Sequence, residues 1–160
     1  MIMVMKKYLL SLFALTSLIL IDSSLVAGEN PSLQTRVQKL SSSPSQTAMS
    51  LQLLLANRQI GEALYSYSQK NAQLSSLFVE EMYRGRGYGA KLFRLVCTML
   101  KKNDCSKLTF NACAFEYARN DQAYYLRDLV TFFENLGASV VEYDDYVHGS
   151  PTTALMEIYL

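Results

Sequence analysis

The sequence has little of what most often gives a function away. Its 160 residues hold no tryptophan, one histidine, three prolines and three cysteines. The cysteines, Cys97, Cys105 and Cys113, are an odd set spaced eight apart. That matches neither a disulfide framework nor the paired spacing of a zinc site, and no metal site is expected. At least one thiol is unpaired in a monomer; Cys97 reads as a small apolar residue in a helix, and the other two flank a strand. Charge is equally silent, because the formal net charge is +1 and there is no basic run or face. A nucleic-acid partner is therefore not expected, the only dense basic group being Arg84, Arg86, Lys91 and Arg94. His148 falls in a late turn, and no internal repeat is present. Half of the residues are hydrophobic and 18% are charged, which fits one ordinary globular domain. Nothing in the composition sets an oligomeric state.

The first 28 residues have a texture of their own. Lys6 and Lys7 precede an uncharged apolar run from Tyr8 to Ile21, and small residues follow around Val26, Ala27 and Gly28. That is the layout of a secretory signal peptide with cleavage ahead of Glu29, which predicts an exported or secreted protein. The run is shorter than the roughly 20 residues that span a bilayer, so contact with a membrane is expected only through this segment. The alternative is a retained first strand and first helix in a cytoplasmic protein. Against it, leucine, isoleucine and phenylalanine occur all round the helix such a segment would make. Removal of residues 1–28 leaves a formally neutral domain.

Residues 29–47, rich in serine, glutamine and proline, read as a linker with one short helical candidate at 32–40. From residue 48 to 160 the pattern is that of a folded domain. Residues 49–56 and 60–67 read as a hairpin turning at Asn57-Arg58, and 74–79 as the third strand of an antiparallel meander. The period then changes, with Leu92, Phe93, Val96, Met99 and Leu100 at helical spacing over 87–102. Residues 107–113 read as a buried strand reached by a crossover and parallel to the strand before the helix. A second helix over 120–136 stops at Gly137, and strands over 139–146 and 154–160 close the chain. This is a mixed α/β order.

The informative stretch joins the third strand to the first helix: Leu77, Phe78, Val79, Glu80, Glu81, Met82, Tyr83, Arg84, Gly85, Arg86, Gly87, Tyr88, Gly89, Ala90. Glycines there allow a ligand close to the backbone, and the free N–H groups of a helix's first turn form an anion site suited to a pyrophosphate. Arg84 and Arg86 add positive charge at its mouth. The segment lacks the Gly-Lys-Ser/Thr of a P-loop, and its evenly spaced glycines depart from the G-x-G-x-x-G of a dinucleotide-binding fold. What remains is Arg-x-x-Gly-x-Gly, met by Arg84, Gly87 and Gly89. The chain here resembles the GNAT superfamily of acetyl-CoA-dependent N-acyltransferases. Val79 stands five residues before Arg84, as the family pattern has it, and Thr131 to Ala138 (Thr-Phe-Phe-Glu-Asn-Leu-Gly-Ala) is similar to the family's second signature.

The resemblance covers roughly residues 48–160. It implies a central mixed sheet with an antiparallel meander, flanking helices and a splayed parallel pair. It also implies transfer of an acetyl group from acetyl-CoA to an amine acceptor that the sequence does not name. The backbone of Leu77, Phe78 and Val79 would pair with the pantetheine arm, and Arg84 to Ala90 would cradle the pyrophosphate. Two departures bear on activity. The tyrosine that often protonates the departing thiolate falls at Phe133, which has no proton to give. Tyr124 or Tyr125 could take that part if the register has shifted, or both could be packing residues; Asn120-Asp121-Gln122-Ala123 resembles the motif that opens that helix. Glu80 and Glu81 are the candidate general bases, or else surface carboxylates paired with arginines. If residues 1–28 are cleaved, only residues 29–47 remain ahead of the hairpin, where the family has a strand and two helices, so a catalytically weakened module that binds acyl-CoA or a protein partner is the alternative function.

Overall fold

The computed structural model describes residues 33–43, 45–113, 126–147 and 150–160. Seven strands form one mixed sheet in the order β1-β2-β3-β4-β5-β7-β6. The strands are β1 (Leu33–Ser42), β2 (Thr47–Leu55), β3 (Arg58–Ser68), β4 (Asn71–Val79), β5 (Lys107–Cys113), β6 (Ser139–Val147) and β7 (Ser150–Tyr159). Helix α1 (Tyr88–Lys102) crosses from β4 to β5, and α2 (Leu126–Glu134) precedes β6. The mixed α/β architecture with a meander and one parallel pair is the one expected.

One expectation is overturned. Residues 33–42, read as part of a linker with a helical candidate, are strand β1, antiparallel to β2 from Leu33 opposite Leu55 onward. The composition hid a period of two: Thr35 and Val37 are buried while Gln34 and Arg36 are exposed. That alternation belongs to an edge strand with one wet face.

Hairpin geometry sets the register of the meander. Ala56 and Asn57 both take positive φ, at 49° and 65°, which is the left-handed pair that a two-residue hairpin turn requires. Leu55 consequently faces Arg58. Gln69, at φ 52°, does the same for β3 and β4.

The two faces of the sheet differ. A Cβ on Gly61 would sit 2.9 Å from Leu92 Cδ1, so Gly61 looks at α1. By strand alternation Ala63 and Tyr65 look the same way, and both are buried with Leu92, Phe93, Val96 and Leu100 of α1. Phe110 of β5 meets Phe93 at 5.5 Å and Phe133 of α2 at 4.5 Å between ring centroids, which ties both helices to one face. Burial of the Tyr65 phenol in this layer pushes its pKa up to about 12. The opposite face carries Gln34, Arg36, Ser50, Gln52, Glu62, Ser66 and Gln73, and no described helix lies on it. Gly137, at φ 94°, caps α2 as expected, its N–H donating to Glu134 O at 2.9 Å and that of Ala138 to Phe133 O at 3.1 Å.

The feature that positions the site is the seam between β4 and β5. They pair in parallel over three positions only, Asn71 with Lys107, Ala72 with Leu108 and Gln73 with Thr109. At the next step β4 has a bulge: Tyr65 of β3 faces Leu74 and Leu64 faces Ser76, leaving Ser75 as the extra residue. A bulge bends its strand and sharpens the local twist. From there the two strands part, and the edge of β4 from Leu74 to Val79 has no β5 partner.

Gly61 guards this geometry. The Cβ of Gly61→Ala would lie 2.9 Å from Phe78 O, a backbone atom of β4. The substitution is expected to destabilise the fold by about 1–3 kcal/mol, read as a lower midpoint in thermal or urea unfolding; an unchanged midpoint would show that β3 and β4 can separate freely.

Candidate functional site

The chain leaves β4 at Val79, makes one 3₁₀ turn (Glu81–Tyr83), and passes Arg84, Gly85, Arg86 and Gly87 before α1 begins at Tyr88. Gly85 has φ 71° and Gly87, the N-cap of α1, has φ 82°. An added Cβ at either would meet nothing within 4 Å. What demands glycine at these two positions is the left-handed backbone, and the space beside them is open to a ligand. Gly89 differs: its Cβ would make ordinary contact with Phe132 Cζ at 3.6 Å and Val79 Cγ2 at 3.9 Å.

No side chain caps this end of α1, and its first turn holds no acidic residue. Lys91 N–H donates to Gly87 O at 3.0 Å, closing the first turn, so the N–H groups of Tyr88, Gly89 and Ala90 have no helical carbonyl to reach. With the helix dipole behind them, they suit an anion. The other end of α1 carries Lys101 and Lys102, the complementary sign.

The arginines are anchored. Arg84 Nε donates to Val79 O at 3.0 Å, and its guanidinium carbon stands 6.0 Å from the centre of the Phe78 ring. Arg84 thus straps the turn to the end of β4. Arg86 is exposed, 5.9 Å over Tyr83, itself edge-on to Tyr88 at 6.4 Å.

The unpaired stretch of β4 lies directly before this turn. A strand edge offers N–H and C=O groups at strand spacing, which an extended amide-bearing ligand satisfies as an added strand would. Leu77 and Val79 turn towards the core, while Phe78 is half exposed on the helix-free face, opposite Glu62. An extended chain of amides ending in a diphosphate therefore fits the β4 edge and the α1 N-terminus together.

The other sequence candidates are distributed as follows. Glu80 is bound to Arg58 at 3.0 Å, and its N–H donates to Ile60 O at 2.9 Å. Glu81 is exposed in the 3₁₀ turn. Both stand past the end of β4. Tyr124, Tyr125, the Asn120–Ala123 motif and His148 lie outside the described residues. Phe133 is buried between Phe93 and Phe110, whereas its neighbour Phe132 reaches the first turn of α1. Sequence reasoning missed the Ser75 bulge, for which composition gives no signal. It also missed Glu62, the one charge in the strand run 60–67 and a visible irregularity. The Glu62 carboxylate accepts hydrogen bonds from Ser50 Oγ at 2.6 Å and Gln52 Nε2 at 3.4 Å.

The model of the acetyltransferase (GNAT) family matches residues 29–138 of this sequence. The chain belongs to that family. No relative is found among curated proteins. Solved GNAT-type structures share the fold at low identity. An acetyltransferase from Bacillus cereus is 16% identical with TM-score 0.58, over 72% of this chain and 74% of its own. A GNAT family acetyltransferase from Elizabethkingia anophelis with acetyl-CoA bound is 12% identical with TM-score 0.57, over 71% and 76%. The PaiA N-acetyltransferase from Thermoplasma acidophilum, in complex with coenzyme A, is 17% identical with TM-score 0.54, over 71% and 61%. The GNAT match includes residues 33–42, so β1, first read as linker, lies within the family domain.

The two kinds of glycine make a test. Saturating acetyl-CoA is expected to raise the melting temperature of the wild type by mass action. Gly87→Val forces a β-branched residue to positive φ and is expected to abolish that rise, while Gly89→Ala keeps most of it. Equal behaviour of the two variants would remove the left-handed turn from the binding argument.

Proposed function

We propose that this GNAT protein transfers the acetyl group of acetyl-CoA to a primary amine by direct attack. The observation that carries the reading is the continuity of an unpaired β4 edge, a left-handed glycine turn and an uncapped helix N-terminus. Bound acetyl-CoA supplies an activated acyl group. The N–H groups of Tyr88, Gly89 and Ala90 hold its diphosphate, and the backbone of Leu77 to Val79 aligns its extended arm. A β4 backbone N–H near Val79 would polarise the thioester carbonyl and favour the charge that develops on its oxygen. Positioning two reactants in this way supplies much of the rate. The thiols of Cys97 and Cys105 are pushed up in pKa by burial, Asp104 adding to the effect at Cys105, which disfavours the thiolate at either. This supports direct attack over a covalent intermediate on either.

For the proton returned to the thiolate, we assign Tyr124 or Tyr125, on the resemblance of the segment that holds them. Replacement of the acting tyrosine by phenylalanine is expected to lower turnover by roughly 10²- to 10⁴-fold, leaving the acetyl-CoA melting shift in place. One observation favours a second reading, a CoA-binding module of little activity: Phe133, at the family's usual acid position, has no hydroxyl and is enclosed in the core. Acetylation of an amine panel, read as free CoA thiol, decides between them. Product from at least one amine is expected; a protein whose melting point rises with acetyl-CoA but that forms no product is the module.

We propose further that residues 1–28 direct export and are removed. Their charged, apolar and small-residue order supports this. N-terminal sequencing of protein from the native source is expected to begin near Glu29, and an intact Met1 would reverse the proposal.

A further inference from the structure

The described helices lie on one face of the sheet, and among the described residues no helix lies on the other. That face is built for a ligand in two respects. Glu62 stands in the row Gln52, Glu62, Phe78 across β2, β3 and β4, one strand, roughly 4.8 Å, from the unpaired edge. Its carboxylate is held by Ser50 Oγ at 2.6 Å and Gln52 Nε2 at 3.4 Å, while the ring of Phe78 beside it is 48% exposed. Two residues further along β3 on the same face, a cavity of about 410 Å³ opens over Leu40, Ala48 and Leu64, rimmed by Ser66 and the bulged Ser75. Its lining contains no charged side chain. The bulge that parts β4 from β5 thus also puts Ser75 on the wall of this cavity.

We infer that this face is the acceptor site, that Glu62 receives the acceptor's ammonium, and that the acceptor is a small primary amine with an uncharged aliphatic or hydroxyl-bearing tail. The inference rests on the acetyl transfer proposed above. Glu62 takes one proton from the ammonium. The freed lone pair attacks the thioester carbon, the C–N bond forms, the C–S bond breaks, and the second nitrogen proton leaves with the thiolate as the CoA thiol. The cavity is within the usual range for small-molecule sites, roughly 300–1,000 Å³. Its neutral lining gives a second charge no partner and leaves it poorly solvated there.

The test uses three amines of one length and different tails: 6-amino-1-hexanol, 6-aminohexanoate and 1,6-diaminohexane. With the wild-type protein and acetyl-CoA, kcat/KM is expected to favour the alcohol by about tenfold or more. Glu62→Gln keeps the shape and is expected to lower kcat/KM for the alcohol by roughly 10²-fold or more. It should also abolish binding of 6-amino-1-hexanol to the CoA-loaded protein in calorimetric titration, while the acetyl-CoA melting shift stays as in the wild type. Glu62→Asp, which keeps the charge, is expected to recover part of the rate; equal loss in both variants marks a structural role and overturns the assignment. Ser66→Lys, placing a cation on the cavity rim, is expected to move preference towards 6-aminohexanoate, and an unmoved preference overturns the cavity's part. Full turnover in Glu62→Gln overturns the inference and leaves acetyl transfer standing, as does product from a wider amine panel with none from these three. Absence of product from every amine overturns both.

Discussion

Everything at this site depends on a shortage of hydrogen bonds between two neighbouring strands. β4 and β5 share three parallel pairs and then separate at the Ser75 bulge. In an ordinary sheet the backbone groups beyond that point would be paired, because polar backbone left without a partner is costly. Here the lower end of the seam joins the two strands, and the upper end, without β5 pairing, is where we place the ligand. The aromatic cluster of Phe93, Phe110 and Phe133 fills the core behind the parting strands. The Arg84 strap to Val79 O fixes the glycine turn at the top of the opening. Lengthening the seam by a few pairs would improve the sheet and close the site.

How much of this could be read in the sequence follows from the range of each signal. The β4–turn–α1 segment was legible residue by residue, because left-handed glycines, an uncapped helix start and an apolar helical stripe are all local. Strand β5 was recovered at 107–113, with the boundaries that the structure has. Strand β1 was missed, since serine and glutamine on its wet face outweighed the three apolar or β-branched positions that alternate with them. The bulge was illegible because register is a relation between strands: nothing about Ser75 differs locally from Ser76. The partnership of Ser50, Gln52 and Glu62 was hidden for the same reason, as the residues lie 10 and 12 positions apart and meet only in the folded hairpin.

The described helices divide the sheet into a helix-covered face and one with no described helix on it. A bare apolar face would demand a cover. The second face mixes Gln34, Arg36, Gln52, Glu62 and Gln73 with the apolar Ala48, Leu54, Leu64 and Phe78, and Ser50, bonded to Glu62, is buried in it. Antiparallel strands tolerate this arrangement, whereas the parallel seam is covered on the helix side.

The brevity of the seam also governs the order of assembly. Strands β1 to β4 are sequence neighbours joined by tight turns, so their pairing closes short loops and costs little chain entropy. Joining β5 to β4 requires the whole α1 crossover, and its reward in backbone pairing is three positions. The meander with α1 and the later strands are nonetheless joined by one core, since Phe93 of α1 packs on Phe110 of β5 and on Phe133 of α2. An extended ligand lying in the cleft would lend β4 and β5 the backbone partners they do not give each other, and so would act as mortar as well as substrate.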